Sequence, residues 1–220
     1  MKRLLTFAPL LALIGVLPVH AGTIAYTDPA GQGRQDWGGN LALTFDVLSP
    51  VTVTALGVFN ASGSGTIDGH IDVAIWDMGN HTQVTPTVSF NGNYTAAGIG
   101  FDVFQAISPV VLGPGSYEVD AVGFNPIDKN GNLNTGSTSG PALTGAGPLS
   151  FTGAAWDSIT ALDGPTTCVG CQGAPLQSQQ FDAGTFQFTP GSGVPEPATL
   201  GLLGSGFVGL SVLLRRRRVR

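Results

Sequence analysis

The amino-acid sequence predicts an all-β fold, an antiparallel β-sandwich or jelly-roll-like domain, between residues 22 and 188. Apolar and polar residues alternate with a period of two in several short segments, as in strands that bury one face and leave the other wet. Turn residues separate these segments roughly every 8–12 positions, and no helical period interrupts them. Many short strands joined by turns are typical of two packed sheets.

The strands follow one another along the chain with little between them. The alternation is clearest at residues 41–47, where Leu41, Leu43 and Phe45 share one face, and at residues 70–75 and 116–121. Shorter runs of β-forming residues predict further strands at 51–59, 83–90, 101–104, 107–112, 149–152 and 184–188. Residues 125–180 are rich in Gly, Ser, Thr, Asn and Pro, so long loops around a few strands are predicted there.

The first 21 residues are organised as a secretory signal peptide. Basic Lys2 and Arg3 precede an apolar stretch at 4–17, and small residues occupy the cleavage positions. We expect cleavage after Ala21 and export of the remaining chain across the inner membrane.

The C-terminal region combines three features of a membrane-sorted protein. After a linker at 189–194, Pro195, Glu196 and Pro197 favour an extended backbone. The uncharged residues 198–214 would form a helix of about 25 Å, close to the shortest that crosses a hydrocarbon core of roughly 30 Å. A run of arginines that would stop transfer on the cytoplasmic side follows: Arg215, Arg216, Arg217 and Arg218.

This order of Pro-Glu-Pro motif, short span and terminal arginines resembles the PEP-CTERM sorting signal of Gram-negative bacteria that produce exopolysaccharide. The resemblance covers about an eighth of the chain. It implies that an exosortase, a membrane enzyme, recognises Pro195, Glu196 and Pro197 and removes the tail. The membrane span would then be transient, and the protein would end at the cell surface or outside the cell. A permanent single-span anchor in the periplasm is the alternative.

A second resemblance covers about 80 residues, from 43 to 124. Its segments TFDVLSPVTVTALGVFN, GHIDVAIWDMGN and SPVVLGPGSYEVDAVGF are similar to a sandwich module of unknown function in other exported PEP-CTERM proteins. The recurring elements are a turn at 54–57, a strand at 73–77 and a hairpin at 112–117. This resemblance implies a fold and carries no active site.

The exported segment is strongly acidic. Between residues 22 and 197 it has two basic residues, Arg34 and Lys129, against fourteen acidic ones, a net charge of −12. Binding to nucleic-acid phosphates needs clustered Lys and Arg, so this charge argues against a nucleic-acid partner.

No recognisable catalytic motif is present, and we expect the protein not to be an enzyme. His70 and His81 remain after processing and are predicted at the surface. Glycoside hydrolysis would need two facing carboxylates, for which the acidic residues near the strands are the candidates: Asp68, Asp72, Asp77, Asp102, Glu118 and Asp120. On the wet face of a strand such residues more often keep a domain soluble.

Two further motifs have structural interpretations. Cys168 and Cys171 are the two cysteines of the chain, and in an oxidising compartment they are predicted to form a disulfide that staples a loop. Asp128, Asn130 and Asn132 place oxygens at alternate positions, as calcium loops do, but lack the remaining EF-hand ligands. A hairpin turn at Asn130 explains them equally well, so no cofactor is predicted and calcium is the weaker alternative.

Three tryptophans, Trp37, Trp76 and Trp156, could stack on sugars if exposed, although large aromatic residues of a sandwich are more often in the core. The leading hypothesis is an exported cell-surface or extracellular-matrix protein associated with exopolysaccharide or biofilm. The alternative is a carbohydrate-binding sandwich module.

Overall fold

The computed structural model describes residues 22–27, 35–94, 101–132, 142–143, 147–165, 168–169 and 181–191. The predicted signal peptide with Ala21, the Pro-Glu-Pro motif, the span at 198–214 and the arginines at 215–218 lie outside these ranges. Cys171 and the side chain of Cys168 also lie outside them, so the predicted disulfide stays a prediction. The described part of the chain contains no helix long and apolar enough to span a membrane.

Regular structure in the described residues consists of β-strands, and every pairing is antiparallel. This confirms the predicted all-β, antiparallel class. In chain order the strands are β1 (Thr23–Ile24), β2 (Tyr26–Thr27), β3 (Leu41–Val47), β4 (Val51–Phe59), β5 (Thr66–Asp77), β6 (Thr82–Gln83), β7 (Val88–Asn93), β8 (Asp102–Leu112), β9 (Gly115–Val122), β10 (Ala142–Leu143), β11 (Leu149–Trp156), β12 (Cys168–Val169) and β13 (Gly184–Pro190).

The strands form two main sheets. The smaller sheet has the order β1-β13-β4-β8, and the larger has the order β12-β11-β3-β9-β5-β6, with β7 also paired to β5. Strands β2 and β10 make a short separate pair. The chain passes from the larger sheet to the smaller between β3 and β4 and returns between β4 and β5. It crosses again between β7 and β8 and returns between β8 and β9.

The predicted hairpin at 112–117 is wrong. Strand β8 pairs with β4, whereas β9 pairs with β3 and β5. Gly113 and Pro114 therefore form a crossover that carries the chain from one sheet to the other. A Gly-Pro turn signal shows where the chain reverses, but it does not show which strands pair after it.

Most predicted strands are present with small changes. Strands β3 and β4 have the predicted bounds. The predicted strands at 101–104 and 107–112 are one continuous strand, β8, whose register against β4 shifts between Val53 and Ala55. The predicted strand at 83–90 is divided between β6 and β7.

The inward side chains of both sheets form one hydrophobic core. Phe45 of β3 is fully buried and contacts three rings on three other strands. Its ring centre lies 5.9 Å from that of Tyr117, 6.2 Å from that of Phe151 and 5.0 Å from that of Phe186. Because Phe186 belongs to the smaller sheet, this last contact joins the two layers, and aromatic pairs add to the stability gained from burial alone.

Candidate functional site

Part of the outer face of the larger sheet is buried, although the alternation of apolar and polar residues predicts that this face is exposed to solvent. Thr44 of β3 and Glu118 and Asp120 of β9 point away from the core, yet they are only 1%, 2% and 0% exposed. Residues 157–165, here called the covering loop, fold back over Glu118 and Asp120, and Gly164 N donates a hydrogen bond to Asp120 Oδ2 at 3.3 Å. Thr44 Oγ1 lies 3.0 Å from Thr152 Oγ1 of β11. The prediction of one wet face is wrong at this patch because a segment distant in sequence covers it.

Gly164 allows the covering loop to approach the sheet this closely. Its φ is +69°, a backbone conformation that favours glycine. A Cβ at this position would lie 2.7 Å from the Trp76 ring and 3.0 Å from Glu118 Oε1. The loop backbone therefore rests directly on Trp76 and Glu118.

Four carboxyl groups meet at this patch and are here called the acidic site: Glu118, Asp120, Asp157 and Asp163. Burial, reinforced by the nearby Asp163 and Asp157 carboxylates, raises the pKa of Glu118 to about 8. Burial, and next the Glu118 charge, raises the pKa of Asp120 as well. Burial, followed by the Asp157 charge, raises the pKa of Asp163. At neutral pH the Glu118 carboxyl is therefore largely protonated.

No lysine or arginine within the described ranges forms an ion pair with these four groups. The ion pair found in that part of the chain joins His70 Nε2 to Asp72 Oδ1 at 3.0 Å, away from the acidic site. His70 is exposed, as predicted. Protonation of the site is thus one way to relieve the repulsion, and a bound cation is another.

Asn40, which precedes β3, holds the covering loop. The Asn40 side chain is fully buried, and its Nδ2 atom lies 2.9 Å from Asp157 Oδ1 and 2.9 Å from Asp163 Oδ1. The same nitrogen lies 3.1 Å from the main-chain oxygen of Ile159 and 2.9 Å from that of Ala161. These four oxygens are called the oxygen ring below.

His81 lies beside the acidic site, although its side chain is exposed. Its imidazole stacks on the Trp76 ring with centres 5.6 Å apart. When protonated it lowers the pKa of Asp163, opposing the larger upward effects of burial and of Asp157. The predicted surface position of His81 is correct, and its proximity to an acidic cluster was not foreseen.

An aromatic pocket adjoins the covering loop. It has a volume of about 230 Å³ and is lined by Gln35, Trp37, Leu41, Trp156 and Phe181. The Trp37 and Trp156 rings meet edge to face with centres 5.5 Å apart, and Trp37 Nε1 donates a hydrogen bond to the Asp157 carbonyl at 3.0 Å. The predicted core location is correct in part for Trp156, which is half-buried and packs against the hydrophobic core. It is wrong for Trp37, which is 36% exposed, and Trp76 is half-buried beside the covering loop.

The side chains predicted as a weak calcium loop accept hydrogen bonds from main-chain N–H groups. The Asp128 carboxylate accepts hydrogen bonds from Asp68 N at 3.0 Å and from Gly69 N at 2.5 Å. Asn130 Oδ1 accepts from Asn132 N at 3.1 Å, and Asn132 Oδ1 accepts from Asp182 N at 2.8 Å. These contacts fasten the loop to neighbouring segments, and calcium binding there stays a prediction.

Of the acidic residues considered as a catalytic pair, the structure brings Glu118 and Asp120 to one site. Asp157, Asp163 and Asn40, which complete that site, were missed. Their signal was weak: two aspartates six residues apart, followed by Gly164 and Pro165, in a segment without strand alternation. Loops rich in such residues are common and do not by themselves predict a site.

The fold and the C-terminal region together define an all-β protein with a sorting signal. Residues 193–218 match the PEP-CTERM protein-sorting motif. This match confirms the resemblance drawn from Pro195, Glu196 and Pro197, and it supports exosortase-dependent export with membrane-anchored sorting in a Gram-negative bacterium. A search of curated proteins finds no match to the chain.

Proposed function

We propose that this chain is a non-enzymatic protein of the cell surface or extracellular matrix, released from its anchor by an exosortase and associated with exopolysaccharide. The match of residues 193–218 to the sorting motif carries this proposal. The part of the chain that the structure describes forms two packed β-sheets, and all its strands precede the motif. Strand β13 ends at Pro190, and Gly191 N closes the sheet with a 2.7 Å hydrogen bond to the Pro50 carbonyl. Removal of the tail would leave every described strand in place.

The buried state of the carboxyl pair supports a non-enzymatic role. A glycosidase needs its two carboxyls on either side of a cleft that admits the sugar. Glu118 and Asp120 instead lie beneath Gly164 and are 2% and 0% exposed. The net charge of −12 on the exported segment suits a soluble, hydrated matrix component.

Mass spectrometry of the protein from membranes and culture medium tests the sorting proposal. With the exosortase present, we expect a product that begins at Gly22 and ends near residues 195–197. Deleting the enzyme, or replacing Pro195, Glu196 and Pro197 together by alanine, should leave the chain intact to Arg220. Pro190→Ala, at the end of β13 and outside the motif, is the matched control and should be processed normally. A C-terminus that is unchanged by deletion of the enzyme would overturn the proposal and favour a permanent anchor.

A second candidate function, carbohydrate binding, is favoured by the aromatic pocket. Its volume of about 230 Å³ lies below the range of roughly 300–1,000 Å³ typical of drug-sized ligands, so it suits one small ring. Trp37 and Trp156 offer apolar ring surface, and Gln35 offers an amide for hydroxyl groups.

Binding of the wild-type protein to an array of bacterial polysaccharides tests this second candidate. We expect Trp37→Ala and Trp156→Ala each to lower the affinity about fivefold, since a ring contact of this kind is worth on the order of 1 kcal/mol. Ile127→Ala, at a side chain that is 70% exposed and remote from the pocket lining, is the control. An array without a bound polysaccharide, or equal affinity in all variants, would reject the pocket as a sugar site.

A further inference from the structure

The oxygens of the ring come from alternate residues of a single loop. The ring's four members come from every second residue of the covering loop: the Asp157 carboxylate, the main-chain oxygens of Ile159 and Ala161, and the Asp163 carboxylate. All four lie within 2.9–3.1 Å of one point, which the Asn40 Nδ2 atom occupies. Neighbouring oxygens around one calcium ion, each 2.3–2.6 Å from the ion, are spaced about 3 Å apart. An oxygen at the Asn40 Nδ2 position would therefore be at a suitable distance from all four to share one calcium ion with them.

The Asn40 amide cannot satisfy the ring by hydrogen bonding. An amide nitrogen carries two protons, and here it faces four acceptors, two of which are carboxylates. Two carboxylates therefore converge on a neutral donor, and the further hydrogen bond that Asp157 Oδ1 accepts from Ile159 N at 2.9 Å brings no positive charge.

Four buried polar atoms at this place have no hydrogen-bond partner: the Trp76 Nε1 donor and three oxygens. The three oxygens point independently to a missing positive ligand. Asn40 Oδ1 is unpartnered although the residue is fully buried. The two ends of an amide have nearly the same shape, so a half-turn of the side chain puts this oxygen into the ring. Glu118 Oε2 and Asp120 Oδ1 are also buried and unpartnered, directly beneath the covering loop.

We propose that the oxygen ring and Asn40 Oδ1 form a calcium site that fastens the covering loop to the larger sheet. Within the described ranges, no three His, Cys, Asp or Glu side chains are placed to hold a metal by themselves. Here two carboxylates are supplemented by two main-chain carbonyls and an amide oxygen. Such an all-oxygen set suits calcium, whereas zinc prefers nitrogen and sulfur, and magnesium demands a stricter octahedron.

The site is open on one side, so solvent can supply the remaining ligands. Asp157 and Asp163 are half-buried, and Ile159 is 49% exposed. Calcium takes six to eight oxygens, and waters would complete the five that the protein provides. With two charged ligands, we expect an affinity in the range of extracellular modules, with Kd of about 10⁻⁴–10⁻³ M.

Calorimetric titration of calcium into the full-length protein, in detergent after removal of metals with EDTA, tests the proposal. We expect one saturable site, and at least about tenfold weaker binding when Asp157→Asn and Asp163→Asn are combined. Asp68→Asn removes an exposed carboxylate of the same sheet and should leave the affinity unchanged. Magnesium at equal ionic strength should bind more weakly. Absence of a saturable site would overturn the proposal. So would loss of binding in Asp128→Asn together with unchanged binding in the combined Asp157→Asn and Asp163→Asn variant.

Terbium, used as a luminescent substitute for calcium, tests the position of the site without a ring variant that could fail to fold. Trp37 Nε1 lies 3.0 Å from the Asp157 carbonyl, so excitation of Trp37 should sensitise terbium bound in the ring. Calcium should displace the emission. Trp37→Phe should weaken the emission, and Trp76 beneath Gly164 and Trp156 beside Asp157 should sensitise the remainder. Tryptophan-sensitised emission that calcium does not displace, or no emission at all, would contradict the proposal.

Discussion

In the presence of EDTA, the free energy of unfolding should fall by several kcal/mol as the pH rises from about 5 to about 8, and Glu118→Gln should make this fall smaller. The pKa of Glu118 is raised to about 8 in the folded protein, whereas an unfolded glutamate titrates near 4.5. Between these values the folded state holds a proton that the unfolded state has released. Stability therefore decreases with pH by at most about 1.4 kcal/mol per unit, or about 4–5 kcal/mol over the window.

Chemical denaturation of the full-length protein at a series of pH values would measure this slope. Glu118 faces Asp157 and Asp163 from the covering loop and Asp120 from its own strand, with His81 beside Asp163. Since burial also raises the pKa of Asp120 well above its ordinary value, a slope of the same sign should persist in Glu118→Gln. Asp68→Asn, at an exposed side chain, is the control and should keep the wild-type slope. An unchanged slope in Glu118→Gln would show that this carboxyl is ionised in the folded state.

Phe45→Ala should lower the free energy of unfolding by about 3–5 kcal/mol. Phe45 is fully buried and contacts Tyr117, Phe151 and Phe186, so its loss leaves a cavity between the two sheets. The contact with Phe186 connects the layers, and neighbouring strands cannot close the gap without shifting both sheets. Denaturant unfolding followed by tryptophan fluorescence would measure the change in midpoint.

Leu48→Ala provides the matched control for this core prediction. Leu48 directly follows β3 and is 60% exposed, so its truncation should cost no more than about 0.5 kcal/mol. A similar loss of stability in both variants would contradict the central position of Phe45 in the core.

The sequence predicted those parts of the fold that depend on local alternation. Strand β3 is an example, because Leu41, Leu43 and Phe45 face the core while Ala42 and Thr44 face outward. The sorting motif was likewise predictable, since it is a continuous stretch of chain. The pairing of the strands on either side of the crossover at Gly113 and Pro114 could not be predicted, because turn residues do not determine which strand pairs next.

The acidic site could not be predicted because its members are distant in sequence and individually ordinary. Asn40 lies 117 positions before Asp157 and 123 before Asp163. Glu118 and Asp120 occupy outward positions of β9, where acidic residues are expected to be solvated. Their burial depends on the covering loop, and the one local hint is the small size of the outward Ala42 and Ala74, which leaves room above the sheet.

The pairing of the first and last strands has a consequence for the timing of export. Thr23 of β1 lies opposite Phe188 of β13, and β13 also separates β1 from β4. The smaller sheet therefore cannot close until residues 184–190 have crossed the membrane, just ahead of the uncharged run that begins at Ala198. Long-range pairing of this kind is slow, and an unfinished sheet exposes strand edges that aggregate. A tail that keeps the chain at the membrane until it is cut would hold each molecule apart from its neighbours while this final strand inserts.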